Sequence, residues 1–112
     1  MDEPDPKKVL GKALVRASEE LGLSNQDLSE IFSQICHVEL GDEVDPKSEV
    51  GEIATMIINI YRNLYNLVGG NAADMKHWMY SYNTDLNGVP AELINSKEGL
   101  VNVLGYLEAM CR

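Results

Sequence analysis

From Ser48 to Val68 apolar side chains return every three or four positions, at Val50, Ile53, Ala54, Ile57, Ile60, Tyr61, Leu64 and Leu67. This period predicts one long helix, opened by Asp45-Pro46 or by Ser48 and spanning roughly 30 Å. Met56 and Ile58 widen its apolar surface beyond a single stripe. Such a helix is either the core axis of the domain or part of a homodimer contact. The chain's 112 residues are enough for one core, and 45% apolar residues with only 6% aromatics suit a helical domain filled by Leu, Ile, Val, Met and Ala. Its longest apolar run, Ile53 to Tyr61, contains Asn59 and has about half of the roughly 20 residues a membrane span needs. No span is expected. The start, Met1-Asp2-Glu3-Pro4-Asp5, is acidic, unlike the basic opening of a secretion signal, so the expected location is the cytoplasm.

Local start and stop signals place further helices around this axis. Asp5 caps the first and Pro6 suits its first position; Val9, Leu10, Ala13, Leu14, Ala17 and Leu21 form its apolar face, and Gly22 ends it. Ser24 caps the second, with Asp27 three residues on, Leu23 and Leu28 at the staple positions, and Ile31 and Phe32 facing inward. Residues 34–40 offer one or two more turns, with Ile35 and Val38 inward and Gly41 as terminator. After the long helix, Gly69-Gly70 reads as termination; a phosphate loop would need a preceding strand and a following Lys-Ser/Thr. Asn71 caps the next helix, with Asp74 in its first turn and Met75, Trp78 and Met79 as its apolar face. Residues 83–89 form a long turn in which Asn87-Gly88 tolerates positive φ, and the flanks lack the alternation of a hairpin. Pro90 then starts a short helix through Ile94, and Ser96 caps the last, with Leu100, Val101, Leu104, Leu107 and Met110 inward. The expected fold is all-α, with about seven helices and no sheet.

No catalytic set assembles from these residues, so an enzyme is not expected. His37 and His77 are the only histidines, and no Gly-x-Ser-x-Gly or His-Glu-x-x-His pattern occurs. Cys36 and Cys111 are too few for a disulfide scaffold and read as buried or half-buried free thiols. Cys36 and His37, adjacent in a helix, point about 100° apart and lack a second ligand pair, so neither a metal nor another cofactor is expected. The net charge of −9 is concentrated between Glu19 and Glu52, where ten acids face the single base Lys47. That run is either a solvated face or a surface complementary to a basic partner.

The stretch Trp78-Met79-Tyr80-Ser81-Tyr82-Asn83-Thr84-Asp85-Leu86-Asn87-Gly88-Val89-Pro90-Ala91-Glu92-Leu93-Ile94 joins an aromatic helix end, an asparagine-rich turn and a proline-started helix in an order packing alone would not dictate. With Asn95-Ser96-Lys97-Glu98-Gly99-Leu100 through Leu104, and with the upstream apolar helix ending in Gly69-Gly70, it resembles the toxin-binding domain of the Xre/MbcA/ParS-type antitoxins. The residues that match the family's pattern are Asn83, Leu86, Gly88, Pro90, Leu93, Gly99 and Leu100. Partners of that family are toxins of the Arg-Glu-Ser (RES) fold, which the resemblance implies consume NAD. It also implies that the C-terminal domain and tail cover the toxin's active-site cleft. Trp78, Leu86, Gly88, Leu93, Gly99, Leu100 and Leu104 are expected to build the motif, while Tyr80, Tyr82, Asn83, Thr84, Asp85, Asn87 and Pro90 are the expected toxin contacts, because loops on a rigid scaffold concentrate recognition residues. At the chain end, Met110 and Arg112 either project into the toxin's cleft or form a frayed helix terminus.

The family's N-terminal half is a helix-turn-helix, and residues 21–32 resemble its first two helices. Where a recognition helix would follow, residues 33–44 carry Glu39, Asp42 and Glu43 but no Arg or Lys. Phosphate contacts need cations, so this stretch opposes DNA binding. The expected organisation is a degenerate helix-turn-helix region over residues 1–47 and a toxin-binding domain over residues 48–112. Function is then that of an antitoxin or an immunity protein against a RES-type toxin, and the rival reading is a DNA-binding autorepressor of a toxin–antitoxin operon.

Overall fold

The computed structural model describes residues 5–38 and 43–111, and among them the chain forms six α-helices and no strand. They are α1 (Pro6–Leu21), α2 (Asn25–Cys36), α3 (Glu49–Val68), α4 (Ala72–Tyr80), α5 (Pro90–Leu93) and α6 (Lys97–Met110). Their starts follow side-chain capping. Asp5, Ser24, Ser48, Asn71 and Ser96 each accept a backbone N–H from the first turn of the helix they open. Ser24 and Asp27 complete a reciprocal box, with Ser24 Oγ accepting from Asp27 N at 3.1 Å and Asp27 Oδ2 from Ser24 N at 2.9 Å. Gly22 ends α1 in the left-handed region, and a Schellman pair forms from Gly22 N to Glu19 O and Leu23 N to Ser18 O. Ser48, the later of the two expected starts, caps α3.

The second helix departs from expectation at its end. It runs unbroken to Cys36, where His37 adopts the left-handed conformation and its N–H reaches the Ser33 carbonyl, so residues 34–36 belong to α2 itself. Val38 consequently lies outside the helix and is exposed, not inward. The predicted terminator Gly41 lies outside the described residues, as do Glu39, Asp42, Met1–Pro4 and Arg112. Six helices among the described residues are close to the roughly seven expected.

α3 is the axis of the core, packing against α1, α2, α4 and α6. Ile53, Ala54, Ile57, Ile60 and Leu64 are fully buried along it, and one continuous apolar cluster joins them to Leu14, Leu21, Leu28 and Phe32 on one side and to Met75, Met79, Ile94, Leu100 and Leu107 on the other. Besides Val38, four residues read as inward are exposed instead: Val9, Leu67, Val101 and Met110. The inward face of α6 is Gly99, Leu100, Val103, Leu104 and Leu107, a stripe in which Val103 replaces Val101. Backbone proximity adds two constraints. A Cβ on Gly51 would collide with the Asp45 carbonyl, and one on Gly99 with the Leu93 carbonyl, so only glycine lets these turns approach their helices. Between the halves, Val44 N donates to Lys7 O at 3.1 Å and buries the Val44 side chain, returning the chain onto the start of α1. No helix among the described residues is long and apolar enough to cross a membrane.

Candidate functional site

The aromatic-to-proline stretch becomes a braced turn between α4 and α5. Asn83 and Gly88 exchange both backbone hydrogen bonds, Asn83 N to Gly88 O at 2.8 Å and Gly88 N to Asn83 O at 3.2 Å, forming an isolated antiparallel bridge. Inside it, Asn83 Oδ1 accepts from Asp85 N (2.9 Å) and Leu86 N (3.1 Å), the self-capping habit of asparagine in turns. Asn87 alone takes positive φ (58°); Gly88 does not, and a Cβ there would lie 2.9 Å from Leu93 Cδ2, so a side chain at this position would make Leu93 shift.

Each described residue singled out in the sequence has a definite place. Tyr82 is 62% exposed and its hydroxyl donates to Asn87 Oδ1 at 2.7 Å, so ring and asparagine brace one another at the surface. Thr84, Asp85 and Asn87 are exposed on the same turn, whereas Asn83 is half-buried and Pro90 buried. Asp85 Oδ2 accepts from the Tyr106 hydroxyl at 2.9 Å, anchoring the turn to α6. Trp78, half-buried, stacks on the Tyr106 ring at 6.4 Å between centroids and 18° between planes. Leu86 and Leu93 are half-buried against the core, which Leu100 and Leu104 complete. Gly99 gives its N–H to Ser96 Oγ at 3.0 Å.

Tyr80 lies apart from this cluster. Its hydroxyl donates to Gly22 O at 2.8 Å across 58 residues, tying α4 to the end of α1. Burial, and then the nearby Asp27 carboxylate, push its hydroxyl pKa up. Tyr106 is likewise raised, first by its hydrogen bond to Asp85. Beside Tyr80, Asp27, Glu30 and Glu92 share a shallow cleft, which brings part of the acidic run next to the turn region.

Two residues that the sequence reading did not single out are central here. Tyr106 holds both Asp85 and Trp78, and Ser81 closes the end of α4 by donating to the His77 carbonyl at 2.6 Å. Only a lone aromatic in an otherwise aliphatic last helix signalled Tyr106. At the chain end Met110 is exposed, one helical turn beyond Tyr106 on the same face of α6, so it neighbours the side on which the Asp85 turn docks. Arg112 lies outside the described residues. Both histidines are exposed, and no cluster of three or more potential metal ligands occurs among the described residues.

Residues 63–111 match the model of the antitoxin Xre/MbcA/ParS C-terminal toxin-binding domain. The match starts in the last turns of α3 and includes the whole braced turn, so it is shorter than the resemblance read from the sequence, which extended over most of the chain. It leaves the N-terminal helices outside. A search of curated proteins found no match. Over residues 63–111 the chain is thus similar to the C-terminal toxin-binding domain of the Xre/MbcA/ParS antitoxins.

Proposed function

We propose that the protein is an antitoxin, or an immunity protein of the same type, that binds a RES-fold toxin and inhibits it by covering its NAD-consuming cleft. The observation that carries this reading is the family match over residues 63–111, the part of the chain that contains the braced turn and the exposed end of α6. The turn presents Tyr82, Thr84, Asp85 and Asn87 on a scaffold fixed by its own hydrogen bonds, so little conformational entropy is lost when a partner docks. Met110 extends that surface, and the family resemblance implies that the C-terminal segment covers the cleft. We read the protein as an inhibitor, not a catalyst, and as acting in the cytoplasm where such a toxin consumes NAD.

The autorepressor reading is the weaker one. Between Cys36 and Glu49 the described residues form no helix, and no Arg or Lys lies between Arg16 and Lys47. A major-groove reader needs both. Co-expression with a RES-fold toxin tests the proposal: the two chains should co-purify and growth should be restored. Absence of a complex together with unrelieved toxicity would refute it.

A further inference from the structure

A groove of about 370 Å³ lies between the end of α3 and α4, bordered by the turn that follows. Val68, Asp74, His77, Trp78 and Tyr82 form its walls. Tyr82 is the most exposed of the large apolar or aromatic side chains among the described residues, yet its hydroxyl is hydrogen-bonded to Asn87. Trp78 is held from behind by its stack on Tyr106, itself tethered to Asp85. Two aromatic walls are therefore set before any partner arrives. Asp74 supplies a carboxylate at the same groove, and no Lys or Arg among the described residues lines it.

We propose that this groove receives an arginine side chain of the toxin, the guanidinium lying against the faces of Tyr82 and Trp78 and pairing with Asp74. A guanidinium is planar, stacks on aromatic faces and offers forked donors to a carboxylate. A lysine ammonium matches the charge but not the plane. An acidic side chain would meet both Asp74 and the negative ring faces, and an apolar one would strip water from Asp74 without replacing its hydrogen bonds. The occupant is assigned to the toxin because every groove residue falls within the segment that matches a toxin-binding domain, and its cationic head to the Asp74 carboxylate beside the two ring faces. This inference rests on the toxin-partner reading above.

Trp78 is the only tryptophan, so its indole N–H gives a single reporter in the groove. Titrating the full chain with N-acetyl-arginine amide should shift that resonance saturably, and the lysine counterpart should shift it far less. Equal responses to the two, or none to arginine, would overturn the proposal. In the complex with the co-expressed toxin, Tyr82→Ala and Asp74→Asn should each lower affinity at least about ten-fold, while Tyr82→Phe, which keeps the ring, should stay within about three-fold. Wild-type affinity in both weakening variants, with the wild-type complex intact, would overturn the groove assignment alone. Failure of the wild-type chain to bind the toxin would overturn the partner and the proposal with it, and is distinguished because the arginine titration needs no toxin.

Discussion

Gly99 and Gly105 lie in the same helix, and the structure predicts that the same substitution at the two sites moves stability in opposite directions. Gly99 is buried in the first turn of α6, and an added Cβ would collide with the Leu93 carbonyl oxygen, lie 2.7 Å from its carbon and 3.0 Å from Ser96 Oγ. The obstacle is backbone, so the α5–α6 connection must shift and the Ser96 cap must loosen. Overpacking of this kind costs about 1–3 kcal/mol and a weakened cap about 1 kcal/mol, offset by at most about 1 kcal/mol for replacing a helical glycine with alanine. A net loss of about 2 kcal/mol lowers the melting temperature by about 8 °C for a chain of this size. At Gly105 nothing lies within 4 Å of the new Cβ, so Gly105→Ala gains about 0.5–1 kcal/mol and raises the midpoint by about 2–4 °C. Circular dichroism melts at 222 nm of both variants beside the wild type decide the matter. A Gly99→Ala midpoint at or above wild type, or two shifts of the same sign, would refute the close-approach argument.

The turn separates a structural residue from a contact residue. Asn83→Ala removes the acceptor of two backbone N–H groups and should lower stability by about 1–2 kcal/mol, whereas Tyr82→Ala should leave the melting midpoint nearly unchanged and weaken toxin binding. Scanning fluorimetry and calorimetric titration measure the two effects, and equal thermal losses would contradict the assignment. Tyr80 and Tyr106 have hydroxyl pKa values above the ordinary tyrosine value, so the stability they add is present below about pH 10 and is lost as pH rises through their folded values. In an alkaline absorbance titration at 295 nm, Tyr80→Phe and Tyr106→Phe should each remove part of the latest rise, and loss of only the early part would refute the shifts. The free protein should give no specific mobility shift with upstream DNA at physiological salt; a shift at nanomolar protein that survives competitor DNA would overturn this.

Helix starts were legible because capping is local: Asp5, Ser24, Ser48, Asn71 and Ser96 lie within three residues of the N–H groups they satisfy. The end of α2 was not, since His37 in a left-handed conformation carries no glycine signal and the apolar spacing of Ile35 and Val38 mimics a continuing helix. The face of α6 was misread for a related reason. Val101 fits the helical period as well as Val103 does, and only the positions of α3 and α5 decide which is covered. The turn was visible in the sequence as Asn, Gly and Pro at fixed spacing. Its bracing was not, because the Asp85–Tyr106 bond, the Trp78–Tyr106 stack and the Tyr80–Gly22 tie join residues 21 to 58 positions apart. Similarly, Gly51 and Gly99 reveal their necessity only where another segment's backbone meets them.

The most direct test of the central claim is the rate of NAD consumption by a purified RES-fold toxin, measured while this protein is titrated in. The rate should fall to background at a fixed molar ratio of this protein to toxin. If occlusion by the C-terminal segment operates as proposed, a version lacking Met110 to Arg112 should still bind but leave much of the rate in place. An undiminished rate in the presence of a stable complex would contradict occlusion, and an undiminished rate without any complex would contradict the antitoxin assignment itself.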